Sequence, residues 1–194
     1  MAVRAGFALT GSFCTFSRAF QAMARLCEAG WEVTPIFSYV AAETDTRFGT
    51  AASFLEKARS VTGRKPVLTL AEAERFGPEK SFDLMIVAPC TASTCRRLAD
   101  GLYDTPPALA VKAHLRNSRP VLLAIAANDA LSVSAAGIGR LLPLRHYYFV
   151  PMVQDDPVRK PNSAVADFSR LKEAAEAALR GEQLRPLFLE PAGA

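Results

Sequence analysis

The stretch LMIVAPCTASTCRRLADG, residues 84–101, contains the pattern that decides the fold. Its first five residues are all apolar and in part β-branched, which is typical of a central parallel strand covered on both faces. A polar turn, Pro89–Thr94, then leads into a segment that has helical spacing and ends at Gly101, a residue type that commonly closes a helix. A buried strand, a turn and a helix form the repeating unit of an α/β protein.

The same unit recurs on both sides of this stretch. Short apolar runs alternate with longer segments whose apolar residues repeat every three or four positions. The predicted strands are Phe7–Thr10, Trp31–Phe37, Val67–Leu70, Leu84–Ala88, Val121–Ala127 and His146–Val150. The longer predicted helices outside it are 16–27, Ala51–Thr62, Leu131–Leu142 and Ala164–Arg180. This pattern predicts a three-layer α/β/α fold around a doubly wound parallel sheet of about six strands.

The chain of 194 residues fits a single domain, residues 1–181, followed by a C-terminal tail, residues 182–194. Residues Met152–Ser163 are rich in Asp, Pro and basic residues without periodicity, which predicts a long loop of the kind that often has a function. No apolar run approaches the ~20 residues needed to span a bilayer, and no charged and then apolar leader is evident. We therefore expect a soluble, cytoplasmic protein.

Composition argues against several functions. Half of the residues are hydrophobic and 22% are charged, a composition that argues against an intrinsically disordered chain. The net charge of +4 arises from scattered residues, and no continuous basic stripe is available for nucleic acid. The four cysteines form no CxxC pair, and the histidines, His114 and His146, are far apart, which argues against a metal site. No catalytic residue can be assigned from the residues alone.

Polar residues at the predicted strand ends indicate where a ligand would bind. In a doubly wound sheet, ligands bind beyond the carboxyl ends of the strands. Gly11 and Ser12 follow the first strand, where a glycine permits close approach and helix N-terminal amides favour an anion. Thr91 and Ser93 surround a second helix start after the central strand. Two further polar residues stand at strand ends, Ser38 and Asn128. The alternative, that these are ordinary turn and capping residues, stays open.

Three motifs in the same order carry a resemblance to a known family. They are G-S-F at 11–13, A-P-C-T-A-S-T at 88–94 and L-A-D-G-L-Y-D-T-P-P-A-L-A at 98–110. Residues 5–150 thereby resemble the flavin-binding family that includes phosphopantothenoylcysteine decarboxylase, the lantibiotic cysteine decarboxylases and the flavin prenyltransferases. The segments GFALTGSFCTF, 6–16, and VPMVQDDPVRKPNSAVADF, 150–168, resemble one branch of it, the B subunits of dipicolinate synthases. The resemblance implies a flavodoxin-like fold.

The resemblance also implies FMN as cofactor. Carried over by motif, its phosphate and ribityl contacts would fall on Gly11, Ser12, Phe13, Ser38, Thr91, Ala92, Ser93 and Thr94, and Asn128 lies at the next strand end. Two departures from the decarboxylases matter. They carry a histidine shortly before the A-P-x-T-A-N motif, whereas residues 72–83 contain none, and their P-x-M-N element is absent here. The prenyltransferases' arginine also has no counterpart, so neither of those activities is assigned.

The branch implies a reaction as well. It is the oxidation of a dihydrodipicolinate-type precursor to pyridine-2,6-dicarboxylate in sporulation, with NAD(P) bound by a separate partner, the A subunit of dipicolinate synthase. Binding of the dicarboxylate would require cationic side chains, and the candidates are Arg96, Arg159 and Lys160. The alternative for each is a solvated surface charge. Homo-oligomers are expected by resemblance only. Two other hypotheses stay open: a non-catalytic scaffold subunit that retains the fold, and an FMN-dependent decarboxylase.

Overall fold

The computed structural model describes residues 2–190, so Met1 and the last four residues of the predicted tail, 191–194, lie outside it. Its parallel strands run in the order β2 (Glu32–Phe37), β1 (Arg4–Leu9), β3 (Leu84–Cys90), β4 (Val121–Ala127) and β5 (Tyr147–Phe149). Two short strands, β6 (Met152–Val153) and β7 (Ala164–Ala166), add an antiparallel extension, with β7 paired to the carboxyl end of β4. The strand order changes direction at β1 and β3, which is where such sheets bind ligands.

Helices cover both faces of the sheet. They are α1 (Phe16–Glu28), α2 (Tyr39–Glu43), α3 (Ala51–Thr62), α4 (Leu70–Glu74), α5 (Ala92–Asp100), α6 (Pro106–Leu115), α7 (Ala135–Leu141) and α8 (Leu171–Leu179). The central strand β3 is buried at every position, and its side chains alternate between two cores. Leu84 and Ile86 pack with α1, α3 and α8, whereas Met85 and Val87 pack with α5, α6 and α7. The predicted three-layer α/β/α fold is confirmed.

Two predicted elements are wrong. Val67–Leu70 forms no strand: Val67 makes a single bridge to Ile36, and Leu70 already begins α4. A capping box between Thr69 and Glu72 starts α4 at this point. The segment predicted as the helix Ala164–Arg180 begins instead with the strand β7, because these small residues pair with the free edge of β4.

The predicted helix Leu131–Leu142 is shorter in the structure, since α7 begins only at Ala135. The predicted loop Met152–Ser163 opens with the two residues of β6 and becomes irregular only after Val153. Pairing of β6 with β7 therefore turns residues 154–163 into a closed loop beyond the carboxyl end of β4.

The described part of the C-terminal tail is attached to the sheet. The Gln183 side chain bonds both the N–H and the carbonyl of Phe149, and Met152 exchanges backbone hydrogen bonds with Leu187 and Leu189. Within residues 2–190, no helix is both long and apolar enough to cross a membrane.

Candidate functional site

The loops that follow β1 and β3 are joined directly to each other. Thr10, buried at the end of β1, donates its hydroxyl proton to the carbonyl of Pro89 at 2.7 Å and accepts the Thr91 N–H at 3.0 Å. The Thr91 hydroxyl lies 3.2 Å from the Thr10 hydroxyl and caps α5 by accepting the Thr94 N–H. Because the two strands are neighbours, residues 81 positions apart in sequence form one continuous edge.

Each of these loops presents backbone N–H groups. After β1, the amides of Gly11, Phe13 and Cys14 make no hydrogen bond to any other residue in the described range 2–190. After β3, the same holds for Ala92 and Ser93 in the first turn of α5. Neither loop contains a carboxylate. Two adjacent helix starts with free donors and no negative charge form a site suited to an anion such as a phosphate.

The predicted hydroxyls differ in how they are used. Ser12 lies 3.8 Å from the Cys14 sulfur and does not cap the short 3-10 turn that follows it. Ser38 is buried and caps α2 by accepting the Ala41 N–H, and the Ser93 oxygen accepts from Arg97. Each of these serines still has a hydroxyl proton to donate. Capping and ligand binding are therefore compatible here.

Thr94 and Asn128 complete the predicted set. The Thr94 hydroxyl accepts from Thr91 at 3.1 Å and is buried beneath the start of α5. Asn128 is exposed just beyond β4. Both lie at the same carboxyl edge as the two joined loops, because β4 pairs with β3 in parallel.

The loop of residues 154–163 stands at this edge as well. Asp155 holds it together by accepting hydrogen bonds from Lys160 at 3.0 Å and Ser163 at 2.7 Å. Partial burial opposes ionisation of Asp155, but these bonds keep the pKa of its carboxyl below the ordinary value. They also raise the pKa of Lys160, to which the nearby Asp156 and Cys14 contribute. Lys160 is therefore within electrostatic range of Cys14 in the loop after β1.

The three cationic residues proposed for a dicarboxylate occupy different places. Lys160 is beside the loop after β1 and is paired with Asp155, whereas the Arg159 guanidinium has no carboxylate within 4.0 Å among residues 2–190. Arg96 points away from the edge: it pairs with Asp100 at 2.5 Å on the side of α5 that packs on α7. Lys160 is thus the one of the three with an interaction that reaches the loop after β1, and Arg96 is paired with Asp100.

Two polar residues gain importance only in the structure. Thr10 links the two loops. In the sequence, only its position next to Gly11 indicated that it could lie at the site. Asp129 follows β4, and its Oδ2 accepts from Ser134 at 2.7 Å, while its Oδ1 is buried and has no partner among the described residues. A single sequence offers no sign of this carboxylate's environment.

The cysteines do not form a metal site. Cys14 is exposed, because it lies in the first turn after β1. Cys90 and Cys95 are buried, and the interaction between the two neighbouring thiols raises the pKa of Cys90, to which burial adds, and lowers that of Cys95. Across residues 2–190, no group of three or more His, Cys, Asp or Glu side chains could hold a metal ion.

A doubly wound sheet whose first and central crossovers join in an anion site defines a flavodoxin-like α/β protein. The chain belongs to the flavoprotein family, whose model, described as Flavoprotein, matches residues 2–170. Within that family it is similar to the B subunit of dipicolinate synthase from Bacillus subtilis (strain 168). The two are 39% identical over 187 residues, which cover 96% of this chain and 94% of the relative.

Solved structures agree with this assignment. The crystal structure of the dipicolinate synthase B subunit from Bacillus halodurans C has a TM-score of 0.90 and 39% identity, covering 98% of this chain and 100% of that chain. The FMN-dependent cysteine decarboxylase SpaF has a TM-score of 0.68 at 17% identity, covering 92% of this chain and 97% of its own. The second likeness shows the fold alone. The family resemblance predicted from the motifs is confirmed.

Proposed function

We propose that this chain is the B-type subunit of a dipicolinate synthase. With an NAD(P)-binding A-type subunit, it would oxidise a dihydrodipicolinate-type precursor to pyridine-2,6-dicarboxylate in the cytoplasm of a sporulating cell. The ring loses a hydride, which NAD(P)⁺ on the partner accepts, and a proton, which passes to solvent. The observation that carries the proposal is 39% identity to a dipicolinate synthase B subunit across 96% of the chain.

FMN is the proposed cofactor. Related structures are described as an FMN-dependent decarboxylase and as AnUbiX in complex with FMN and dimethylallyl pyrophosphate. The free N–H groups of Gly11, Phe13, Ala92 and Ser93, and the absence of a carboxylate from the two loops, fit a phosphate at this position. The Ser12, Ser38 and Thr94 hydroxyls and Asn128 would then serve the ribityl chain. When bound, FMN supplies a ring that can accept or donate two electrons.

The roles of this chain's residues are to bind and orient. Thr10 and Thr91 keep the two helix starts together, so the amide donors converge without reorganisation when an anion arrives. Arg159 and Lys160 would place positive charge beside the candidate anion site, which favours a dicarboxylate. Assembly of several copies is also part of the proposal, since the related DmrB is described as a cubic protein cage.

Reconstitution with the A-type subunit tests the proposal. The purified chain and this partner, supplied with precursor and NAD(P)⁺, should form dipicolinate, and Ser12→Ala and Thr91→Ala should lower the rate at least tenfold. Thr91→Ala also removes the cap of α5, so Thr105→Ala is the matched control: Thr105 caps α6 through the same contact, to the Ala108 N–H at 3.4 Å. Thr105→Ala should keep the full rate. Dipicolinate formed at the full rate by the A-type subunit without this chain would refute the role.

One observation favours a second candidate, a scaffold subunit that retains the fold without catalysis. The histidine that the decarboxylases carry shortly before the A-P-x-T-A-N motif has no counterpart in residues 72–83. Under this alternative, Ser12→Ala and Thr91→Ala would leave both assembly and rate unchanged. The visible absorption spectrum separates the two candidates further, because a working flavin site gives a yellow protein after FMN is added and gel filtration removes the excess.

A further inference from the structure

A cavity lies between the start of α1 and α3, beside the candidate flavin site. Its volume is about 140 Å³, and its lining is Phe13, Cys14, Phe16, Ser17, Phe20, Phe48, Phe54 and Lys57. We call it the aromatic pocket. Phe13 belongs to both places, since its backbone N–H faces the anion site and its side chain lines the cavity. We propose that this pocket binds a planar, single-ring aromatic carboxylate, and that it is the binding site for pyridine-2,6-dicarboxylate or its dihydro precursor.

The walls of the pocket are preformed aromatic faces. Phe16 and Phe54 are buried and meet edge to face, with centroids 4.8 Å apart, and Phe13 stacks on Phe54 at 5.9 Å. Phe48 is 48% exposed and forms part of the lining. Aromatic rings placed in this way favour a further ring in offset or edge-to-face contact. The pocket therefore selects flat ligands over flexible ones.

The wall that carries Phe48 is rigid. It belongs to a tight turn in which Thr46 and Gly49 exchange backbone hydrogen bonds of 2.9 and 3.1 Å. Gly49 has a φ of +147°, and a Cβ at this position would lie 2.9 Å from the Phe54 ring. Only glycine lets the turn pack so closely against the pocket. Folding already orders this wall, so a ligand that binds here loses little free energy in ordering it.

Positive charge surrounds the opening. The Lys57 ammonium lies 5.2 Å from the Phe20 centroid, and the Arg47 guanidinium lies 4.9 Å from the Phe48 centroid. Neither cation has a carboxylate within 4.0 Å in the part of the chain that the structure describes, and no Asp or Glu lines the pocket. Lys160 adds a third cation near Cys14. In an aromatic dicarboxylate, the ring would contact the aromatic lining and the two carboxylates would pair with the cations at the opening.

The size of the pocket suits an occupant with a single ring. A cavity of about 150 Å³ lined by apolar side chains is known to hold a benzene molecule, and this pocket is of that size. A flavin, with three fused rings, is larger than this volume. A single-ring ligand here and a flavin at the adjacent anion site would be neighbours through Phe13. This inference rests on the proposed function, which supplies the identity of the ring.

Calorimetric titration of the full chain with sodium pyridine-2,6-dicarboxylate in metal-free buffer tests the pocket. Heptanedioate, a flexible dicarboxylate with the same number of carbons and charges, is the comparison ligand. We expect dipicolinate to bind at least tenfold more tightly than heptanedioate. Lys57→Met and Phe48→Ala should each weaken dipicolinate binding at least tenfold.

The matched control is Lys112→Met. Lys112 also lies over an aromatic ring, with its ammonium 5.0 Å from the Tyr103 centroid, but on α6 and away from the pocket. Equal dipicolinate affinity in the Lys57→Met and Lys112→Met variants, equal affinity for both dicarboxylates, or no binding at millimolar concentration would each overturn the proposal.

Failure of the pocket and failure of the proposed function give different results. If the reconstituted complex makes dipicolinate and Lys57→Met leaves its KM for the precursor unchanged, the pocket is refuted and the function stands. If the chain binds dipicolinate through Lys57 and Phe48 but the complex makes none, the site stands and the synthase role is refuted.

Discussion

His114 on α6 is a buried residue whose protonation state should govern stability in mild acid. It is 2% exposed and donates from Nε2 to the carbonyl of Pro120 at 2.9 Å. Burial, aided by Arg119 and opposed by the Pro120 hydrogen bond, lowers its pKa from 6.5 to about 4. The unfolded chain therefore binds this proton at higher pH than the folded chain does. Stability should be constant above about pH 7 and decrease as the pH falls from 6.5 towards 4, by about 2 kcal/mol at pH 5.

Urea unfolding at pH 7 and pH 5 measures this effect. His114→Gln keeps a donor for Pro120 but does not titrate, so its loss of unfolding free energy between the two pH values should be smaller than that of the wild type by about 2 kcal/mol. An equal loss in both proteins would assign the acid sensitivity to other groups.

At the scale of the elements, the connection between the β1 and β3 loops rests on one hydroxyl. Thr10→Val has nearly the same shape but leaves the part-buried Thr91 N–H and the buried Pro89 carbonyl without their partner. We expect a loss of about 1–3 kcal/mol in unfolding free energy together with weaker FMN binding, because the two helix starts are no longer held together. Thr10→Ser retains the hydroxyl and should restore most of both. Denaturant unfolding and FMN titration measure the two effects. If Thr10→Val and Thr10→Ser have the same unfolding free energy and the same FMN affinity, the Thr10 hydrogen bonds are not needed for either.

At the scale of the whole molecule, the C-terminal segment supports the loop of residues 154–163. A chain ending at Gly181 loses the bonds from Gln183 to Phe149 and from Leu187 and Leu189 to Met152. At about 1 kcal/mol for each of the four, the truncated chain should fold as a domain but melt roughly 10 °C lower. Hydrogen exchange should accelerate most in β6 and residues 154–163, since β6 loses its outer partner. Unchanged melting and exchange would show that the domain ends at residue 181 in energetic terms as well.

Local patterns predicted the parts of the fold that local forces determine. The apolar run at Leu84–Ala88 forms the predicted buried strand, because a short run that is apolar at every position is typical of a strand covered on both faces. The contact between the loops after β1 and β3 was also predictable in outline. Parallel strands place their carboxyl ends at one edge, so the residues that follow β1 and β3 had to be near each other if the strands were neighbours.

Long-range pairing decided the rest. Residues 164–166 have the composition of a helix and became a strand because β4 offered an unpaired edge, which no local pattern records. The tie from Thr10 to Thr91, the approach of Lys160 to Cys14 and the lining of the aromatic pocket by Phe48 all join segments far apart in sequence. The sequence by itself determined which segments form strands and helix starts; only the packing of those segments decided which side chains share a site, because contact energies depend on distances in space that sequence separation does not express.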